Sequence, residues 1–165
     1  GGYLDRFDIL YKEDNTIKDS KEVRSYLQSK KKKLFSYEIF ENLDLSKGNY
    51  EELEFQFSSF VGCNFTQSSW NKSHLLFSNL QNTMLKNTKM EKMKIFDTDF
   101  SGATLEQVDF AGAKIKHVSF AGAKLIQVDF SKVLLAEEIN FQDAQIVDCK
   151  FPEEVGSGLL YHENR

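Results

Sequence analysis

The sequence contains few of the residues that build disulfide-rich, collagen-like or linker chains. Its 165 residues include two cysteines, one proline, nine glycines and one tryptophan. Two cysteines cannot support a disulfide-dense scaffold, and so little proline and glycine excludes a collagen-like or linker chain. It also lacks the uninterrupted run of about 18 apolar residues that a transmembrane helix requires. Its first 30 residues are polar and show no apolar signal-peptide core, so we predict no signal peptide in this sequence.

The charge balance is mild and points to no polyanionic partner. The formal net charge is −4, with 41% hydrophobic and 28% charged residues. That hydrophobic content is sufficient for a sizeable core and argues against a disordered chain. A slightly acidic chain is not attracted to nucleic acid or anionic lipid, so we expect neither as a partner. The scarcity of cysteine weakly favours a reducing compartment.

The most informative feature is an apolar residue at every fifth position from Phe35 to Leu135. At 41% hydrophobic content, random placement gives such a run with a probability of roughly 10⁻⁸. The residues are Phe35, Phe40, Leu45, Tyr50, Phe55, Phe60, Phe65, Trp70, Leu75, Leu80, Leu85, Met90, Ile95, Phe100, Leu105, Phe110, Ile115, Phe120, Leu125, Phe130 and Leu135. We predict one inserted residue near 137–139, because the period then resumes at Phe141, Ile146 and Phe151.

A period of five fits neither an α-helix nor a β-strand, whose periods are 3.6 and 2. The chain must therefore turn a corner about every five residues, with each repeat forming one side of a coil. The position two residues before each apolar centre is mostly Ser, Thr, Ala or Cys from Ser58 onward, which suits a narrow interior. Gly102, Gly112 and Gly122 follow their centres by two residues, where a type II turn needs a positive φ.

Residues 99–131, DFSGATLEQVDFAGAKIKHVSFAGAKLIQVDFS, resemble the pentapeptide-repeat proteins, whose consensus is Ala-(Asp/Asn)-(Leu/Phe)-X-X. Asp99-Phe100 and Asp109-Phe110 show the acid–aromatic pair. The resemblance covers residues 35–151 and implies an all-β solenoid, a right-handed quadrilateral β-helix with four repeats to a coil. About six coils follow from that length. Before Ser58 the small positions hold Glu38, Leu43 and Leu53, so we expect the first coil to be irregular or shifted in phase.

The chain divides into three regions around this repeat. We predict an N-terminal segment over 1–34 with a capping helix at about 19–33, the β-helix over 35–151, and a C-terminal tail over 152–165. Asp19 with Glu22 resembles a helix-capping pair, and Lys30 to Lys33 would fall in the last turn. The apolar tail residues 158–161 would either cap the last coil or pair two copies into a homodimer.

No catalytic constellation is present in the sequence. His74, His117 and His162 are isolated, and no second ligand stands at a metal-binding spacing from any of them. There is no glycine-rich phosphate loop, no nucleophile elbow and no pair of carboxylates placed as acid and base. We therefore predict no catalytic residue, no metal, no cofactor and no enzymatic activity.

One side of the predicted coil presents apolar residues outward. Residues 20 apart stack on one side, and the side centred on Phe55 and Leu75 continues with lysines. The outward residues that we predict to bind a protein partner are Phe57, Leu76, Phe77 and Phe96, followed on the same side by Lys94, Lys114, Lys116 and His117. The competing hypothesis is that the N-terminal segment folds back over this patch through Tyr3, Leu4, Phe7, Ile9 and Leu10.

Two functions fit these features. The first is a non-catalytic protein–protein interaction scaffold, which the resemblance places among modules of larger bacterial proteins, secreted effectors included. Its location would be the cytoplasm, or a host cell if it acts as a secreted effector. The second is a DNA mimic that binds DNA gyrase or another type II topoisomerase, as quinolone-resistance relatives of the family do. Mimicry needs a continuous negative surface, which Lys86, Lys89, Lys92 and Lys94 interrupt.

Overall fold

A computed structural model describes residues 19–153 and 161–163 of the chain. These residues form a right-handed quadrilateral β-helix of about six coils behind one short helix, as the resemblance implied. Helix α1 spans Ser20–Gln28. The strands that follow are β1 (Leu34–Ser36), β2 (Glu54–Gln56), β3 (His74–Leu76), β4 (Met84–Lys86), β5 (Lys94–Asp99), β6 (Thr104–Asp109), β7 (Lys114–Ser119), β8 (Lys124–Asp129), β9 (Leu135–Phe141), β10 (Gln145–Val147) and β11 (Tyr161–Glu163).

The strands form two parallel sheets. The first sheet has the order β1-β2-β3-β5-β7-β9-β11, and the second has the order β10-β8-β6-β4. Up to β8, each apolar centre within these strands pairs with the centre 20 residues before it, as Phe55 does with Phe35 and Leu75 with Phe55. Consecutive strands of the two sheets have their centres ten residues apart, which is half a coil. The two sheets therefore form opposite sides of the rod, and isolated bridges connect the coils on the remaining two sides.

The predicted apolar centres fill the interior. Phe100, Phe110 and Phe120 are completely buried, and rings on one side stack from coil to coil. The Phe100 and Phe120 ring centroids lie 5.2 Å apart. The small inward residues also form hydrogen bonds, since the Ser78 hydroxyl accepts from the Ser58 N–H and donates to the Leu76 carbonyl. This removes the cost of burying a hydroxyl in an apolar column.

The corners depend on polar residues that precede the centres. The Asp44 carboxylate accepts hydrogen bonds from the Ser46 hydroxyl at 2.6 Å and from the Ser46 N–H at 3.1 Å. These bonds from Ser46 lower the pKa of Asp44 below its usual value. Asn64, Asp99 and Asn140 accept from the N–H two residues on in the same way. In the acid–aromatic pair of the repeat, the first residue therefore accepts the hydrogen bond that closes the turn, and the second packs in the core.

The turns use left-handed backbone at far more positions than the glycines indicated. Gly102, Gly112 and Gly122 have φ values of 71°, 74° and 67°, which confirms the turn prediction. Non-glycine residues adopt the same conformation at the equivalent position of most other repeats, including Phe57 and Phe77 at 50° and 51°. For a non-glycine residue this conformation is less stable by on the order of 1 kcal/mol. Hydrogen bonds between coils, such as Phe57 N–H to the Leu76 carbonyl at 3.0 Å, offset that strain.

Two expectations about the repeat phase were wrong. The first coil is in phase, because Ile39 pairs with Ser59 and Asp44 with Asn64, and Leu43 and Leu53 are buried. The inserted residue lies earlier than 137–139. Asp109 still pairs with Asp129, whereas Lys114 already pairs with Leu135 and Ile115 with Ala136. The extra residue therefore enters between 129 and 135, which leaves Leu134 70% exposed.

Helix α1 confirms the N-terminal cap but is shorter than predicted. The Asp19 carboxylate accepts from the Lys21 N–H at 3.2 Å and caps the helix, without help from Glu22. The helix ends at Gln28, so Lys30 to Lys33 do not form its last turn. Instead Lys30 has a φ of 60°, and its ammonium donates to the Glu51 carbonyl at 2.7 Å. This bond ties the end of the helix to the first coil.

The two cysteines are free thiols in different environments. Cys63 is buried, its Sγ donates to the Phe40 carbonyl at 3.1 Å, and burial raises its pKa to about 12. Cys149 is half-buried, and burial raises its pKa as well. Because both the thiolate fraction and access govern reactivity, we expect Cys149 to react with a thiol reagent well before Cys63. Timed labelling of the native chain and of Cys149→Ser measures this, and equal rates for the two thiols would show that the first coils open readily.

Candidate interaction surface

Among residues 19–153 and 161–163, no helix is long and apolar enough to cross a membrane. The same residues bring together no group of three His, Cys, Asp or Glu side chains that could hold a metal ion. An open groove of about 460 Å³ lies beside the first sheet and carries charges of both signs. It is lined by Lys33, Leu34, Glu52, Leu53, Glu54, Lys72 and His74. The outward aromatic residues are therefore the most distinctive candidate site of the described surface.

Phe57 and Phe77 belong to an aromatic ladder with Tyr37 (Tyr37, Phe57 and Phe77). Each occupies the left-handed corner position that follows a strand of the first sheet. The Tyr37 and Phe57 rings stack with centroids 5.4 Å apart, and the Phe57 and Phe77 rings stack at 5.0 Å. The interplanar angles are 10° and 8°. Rings in parallel stacks cover one another's faces, so the ladder presents ring edges to its surroundings.

The two ends of the aromatic ladder are exposed. Tyr37 is 56% exposed and Phe77 is 37% exposed, whereas Phe57 is partly buried between them. Aromatic side chains in a soluble protein are usually more buried than this. Tyr37 was not among the predicted site residues, although it precedes Phe57 by the 20-residue coil length that could have revealed it.

Leu76 and Phe96 lie beside the ladder on the first sheet. They are register partners on β3 and β5, and both are partly buried. The Lys94 ammonium lies 4.9 Å from the centre of the Phe96 ring, an attractive cation–π contact. Phe96 therefore supports a lysine as well as adding apolar area. The structure brings the four predicted residues together on three consecutive coils, and the N-terminal residues 3–10 of the competing hypothesis lie outside the described residues.

Cations replace the aromatics further along the same sheet. Lys94 and Lys114 are register partners on β5 and β7. Lys116 forms an ion pair of 3.9 Å with Glu137, and the His117 Nδ1 lies 2.6 Å from the Asp97 carboxylate. Along the axis of the rod, the row of Leu76 and Phe96 therefore continues with Lys116, and Lys94 is followed by Lys114 in the adjacent row.

Comparison with known proteins agrees with this architecture. The family described as Pentapeptide repeat region matches residues 63–141. A search of curated proteins gives no match to the sequence. The structural matches share 13–18% identity with this chain, so they show a similar fold and nothing about function.

Three solved structures illustrate the likeness. QnrB1, a plasmid-mediated fluoroquinolone resistance protein, aligns at 18% identity with a TM-score of 0.57, over 72% of this chain and 67% of its own. Rfr23 from the cyanobacterium Cyanothece 51142 aligns at 14% identity and a TM-score of 0.59, over 87% of this chain and 99% of its own. A pentapeptide repeat protein of the Arabidopsis thaliana thylakoid lumen aligns at 18% identity with a TM-score of 0.55, over 67% of this chain and 74% of its own. With the period of five, the four-sided coil and the family match in agreement, residues 63–141 of this chain are a pentapeptide-repeat region.

Proposed function

We propose that this chain is a non-catalytic scaffold that binds another protein through the aromatic patch, defined as Tyr37, Phe57, Leu76, Phe77 and Phe96. The observation that supports this most directly is the stacked aromatic ladder, whose end members Tyr37 and Phe77 are exposed. Large aromatic side chains supply most of the binding energy at many protein interfaces. The β-helix holds these rings in place before binding, so little conformational entropy is lost on association.

The partner of this patch is a protein segment with an apolar anchoring side chain. Phe77 and Leu76 offer apolar area at one coil, and the Phe96 ring extends it to the next. A carbohydrate would stack on ring faces, and the ladder covers both faces of Phe57 and one face each of Tyr37 and Phe77. The module would act in the cytoplasm or, as part of a larger effector, inside a host cell.

The test uses the double variant Phe57→Asn/Phe77→Asn. Asparagine suits the left-handed corner and already occupies it at Asn42, Asn82 and Asn87, so the β-helix should remain folded. We expect capture of a partner from a lysate of the source to fall at least tenfold, because two anchors are removed. Quantitative mass spectrometry of the captured proteins measures the loss, and circular dichroism checks the fold.

The matched control is Ile126→Asn/Val147→Asn on the opposite sheet. These two outward apolar residues are also register partners on neighbouring coils, and Val147 is 48% exposed. Capture by this control should equal that of the native chain. If the aromatic variant unfolds or aggregates while the control does not, the patch is internal packing covered by the N-terminal segment. If both variants capture equally well, the patch is not the docking surface.

Topoisomerase binding is the second candidate function. It is favoured by the acidic first coils, where the carboxylates are Glu38, Glu41, Asp44, Glu51, Glu52 and Glu54, and by the fold shared with QnrB1. Exposed lysines such as Lys72 and Lys92 oppose it, because they break the negative surface. A supercoiling assay with purified gyrase decides between the two proposals. Inhibition or drug protection at low concentrations of this chain would favour mimicry.

A further inference from the structure

We propose that the protein segment docking on the aromatic patch carries carboxylates within about three residues of its apolar anchor. This inference rests on the proposed function and adds the chemistry of the partner. It comes from a basic strip beside the patch, defined as Lys72, Lys92, Lys94 and Lys114. The strip lies at the corner that leads into the first sheet and on the first sheet itself.

The geometry holds the four lysines on one surface. Lys72 and Lys92 occupy equivalent corner positions on consecutive coils, with φ values of 64° and 57°. Two residues after Lys92 comes Lys94, which pairs in register with Lys114 on the next coil. The Lys92 side chain crosses the Gly112 corner so closely that a Cβ at Gly112 would lie 2.9 Å from Lys92 Cγ. The glycine thus leaves room for the lysine stem.

The four lysines of the strip have no carboxylate partner among the described residues, unlike Lys86 and Lys116. Lys86 pairs with Glu106 and Lys116 pairs with Glu137, in each case across one coil. The structure shows no such ion pair within 4 Å between any of the four strip lysines and another described residue. Four neighbouring ammonium groups repel one another, and an acidic partner would relieve that repulsion.

The distance between adjacent coils determines how many residues separate the apolar anchor from the carboxylates in the partner segment. Leu76 and Phe96 lie one coil apart, and Lys94 and Lys114 lie one and two coils beyond His74 in the same row. Adjacent coils are separated by about 4.8 Å, and an extended peptide advances about 3.3 Å per residue. A segment with its anchor at Leu76 and Phe77 therefore reaches these lysines two to three residues later.

Acidic residues flank the basic strip at both of its ends along the axis of the rod. Glu54 lies one coil before it, paired with His74, and Glu137 lies one coil after it, paired with Lys116. A duplex DNA running along the rod would meet these carboxylates, whereas a short acidic peptide would end between them. A strip flanked by acids and adjoining an apolar patch thus favours a protein segment over nucleic acid.

A display selection with random 12-residue peptides tests this chemistry directly. The purified full chain is compared with Lys94→Glu/Lys114→Glu and with Phe57→Asn/Phe77→Asn. Lys47→Glu/Lys124→Glu is the charge-matched control, because both residues are exposed and neither lies on the first sheet or at the corner that leads into it. We expect the native chain and the control to enrich peptides with Asp or Glu two to three residues from an aromatic or aliphatic anchor. The strip variant should bind the selected peptides at least tenfold more weakly and should enrich Lys or Arg at the same offsets.

Three other results of this selection would overturn either the inference or the proposed function. Peptides that need Phe57 and Phe77 but contain no acids would overturn this inference and leave the proposed function standing. Peptides that bind equally to the Phe57→Asn/Phe77→Asn variant would overturn the proposed function itself. A 20-base-pair duplex DNA serves as the polyanion arm of the experiment. If it binds the native chain and not the strip variant, the strip is a nucleic-acid site and the inference is wrong.

Discussion

Replacing Phe120 by alanine should lower the free energy of unfolding by about 3–5 kcal/mol, which is typical for removing a fully buried phenylalanine. Phe120 is completely buried. Its ring stacks between Phe100 at 5.2 Å and Phe141 at 5.5 Å and meets Phe130 edge-on at 5.7 Å. Hydrogen bonds connect the coils above and below, so they cannot collapse into the space that the ring leaves. Urea denaturation followed by circular dichroism measures the change.

The variant Phe120→Leu is the matched control. Leu80 occupies an equivalent position two coils earlier in the same column, so a leucine side chain fits this environment. We expect a loss below about 1.5 kcal/mol, because most of the buried volume is kept. A loss below about 1 kcal/mol for Phe120→Ala would contradict the packing argument. It would show that these coils unfold separately from the remainder of the rod, as repeat proteins can.

The fold was predictable because the same residue pattern recurs in nearly every repeat. An apolar centre, a small inward residue and a polar acceptor recur within five residues, so periodicity alone indicated the side length of the coil. The same logic kept the first coil in phase despite Glu38 and Leu43 at positions expected to be small. The packing of α1 across the end of the rod followed from the stripe of Val23 and Leu27, because an open coil must be covered.

The inserted residue was misplaced for a physical reason. Leu135 and Ala136 are adjacent and apolar, and Leu135 keeps the five-residue spacing from Phe130, so the sequence pattern hides the inserted residue. Only the pairing of Ile115 with Ala136 shows that the shift has already occurred. The left-handed corners were missed for a related reason. Residues such as Phe57 and Lys72 do not favour a positive φ, and hydrogen bonds between coils impose it.

The candidate site was predictable in its position but not in its contacts. Positions 20 apart placed Phe57, Leu76, Phe77 and Phe96 on one side, and the structure confirms that placement. The cation–π contact of Lys94 with Phe96 depends on rotamers, which no repeat pattern encodes. Ion pairs between coils also depend on rotamers, so the sequence did not show that Lys86 and Lys116 pair with carboxylates while other lysines in the described part of the chain do not.

The second large effect is expected at the N-terminal cap. Leu27 is completely buried between α1 and the first coil, and Tyr26 beside it meets Phe35 edge-on at 5.3 Å. Replacing Leu27 by aspartate would require a carboxylate to lose its hydration there, which costs several kcal/mol and exceeds what burying Val23 and Leu27 contributes. We therefore expect α1 to detach and expose the edge of the first coil. An exposed coil edge pairs with other chains, so Leu27→Asp should associate as its concentration rises.

Size-exclusion chromatography with light scattering at increasing protein concentration measures this association. The control Ser25→Asp introduces the same charge on the exposed side of the same helix and should match the native chain in mass at every concentration. The Lys30 ammonium, bonded to the Asn49 and Glu51 carbonyls, offers a second check. Replacing it by methionine removes these bonds and should produce a weaker version of the same association. If Leu27→Asp keeps the mass and the helical signal of the native chain, α1 does not protect the end of the rod.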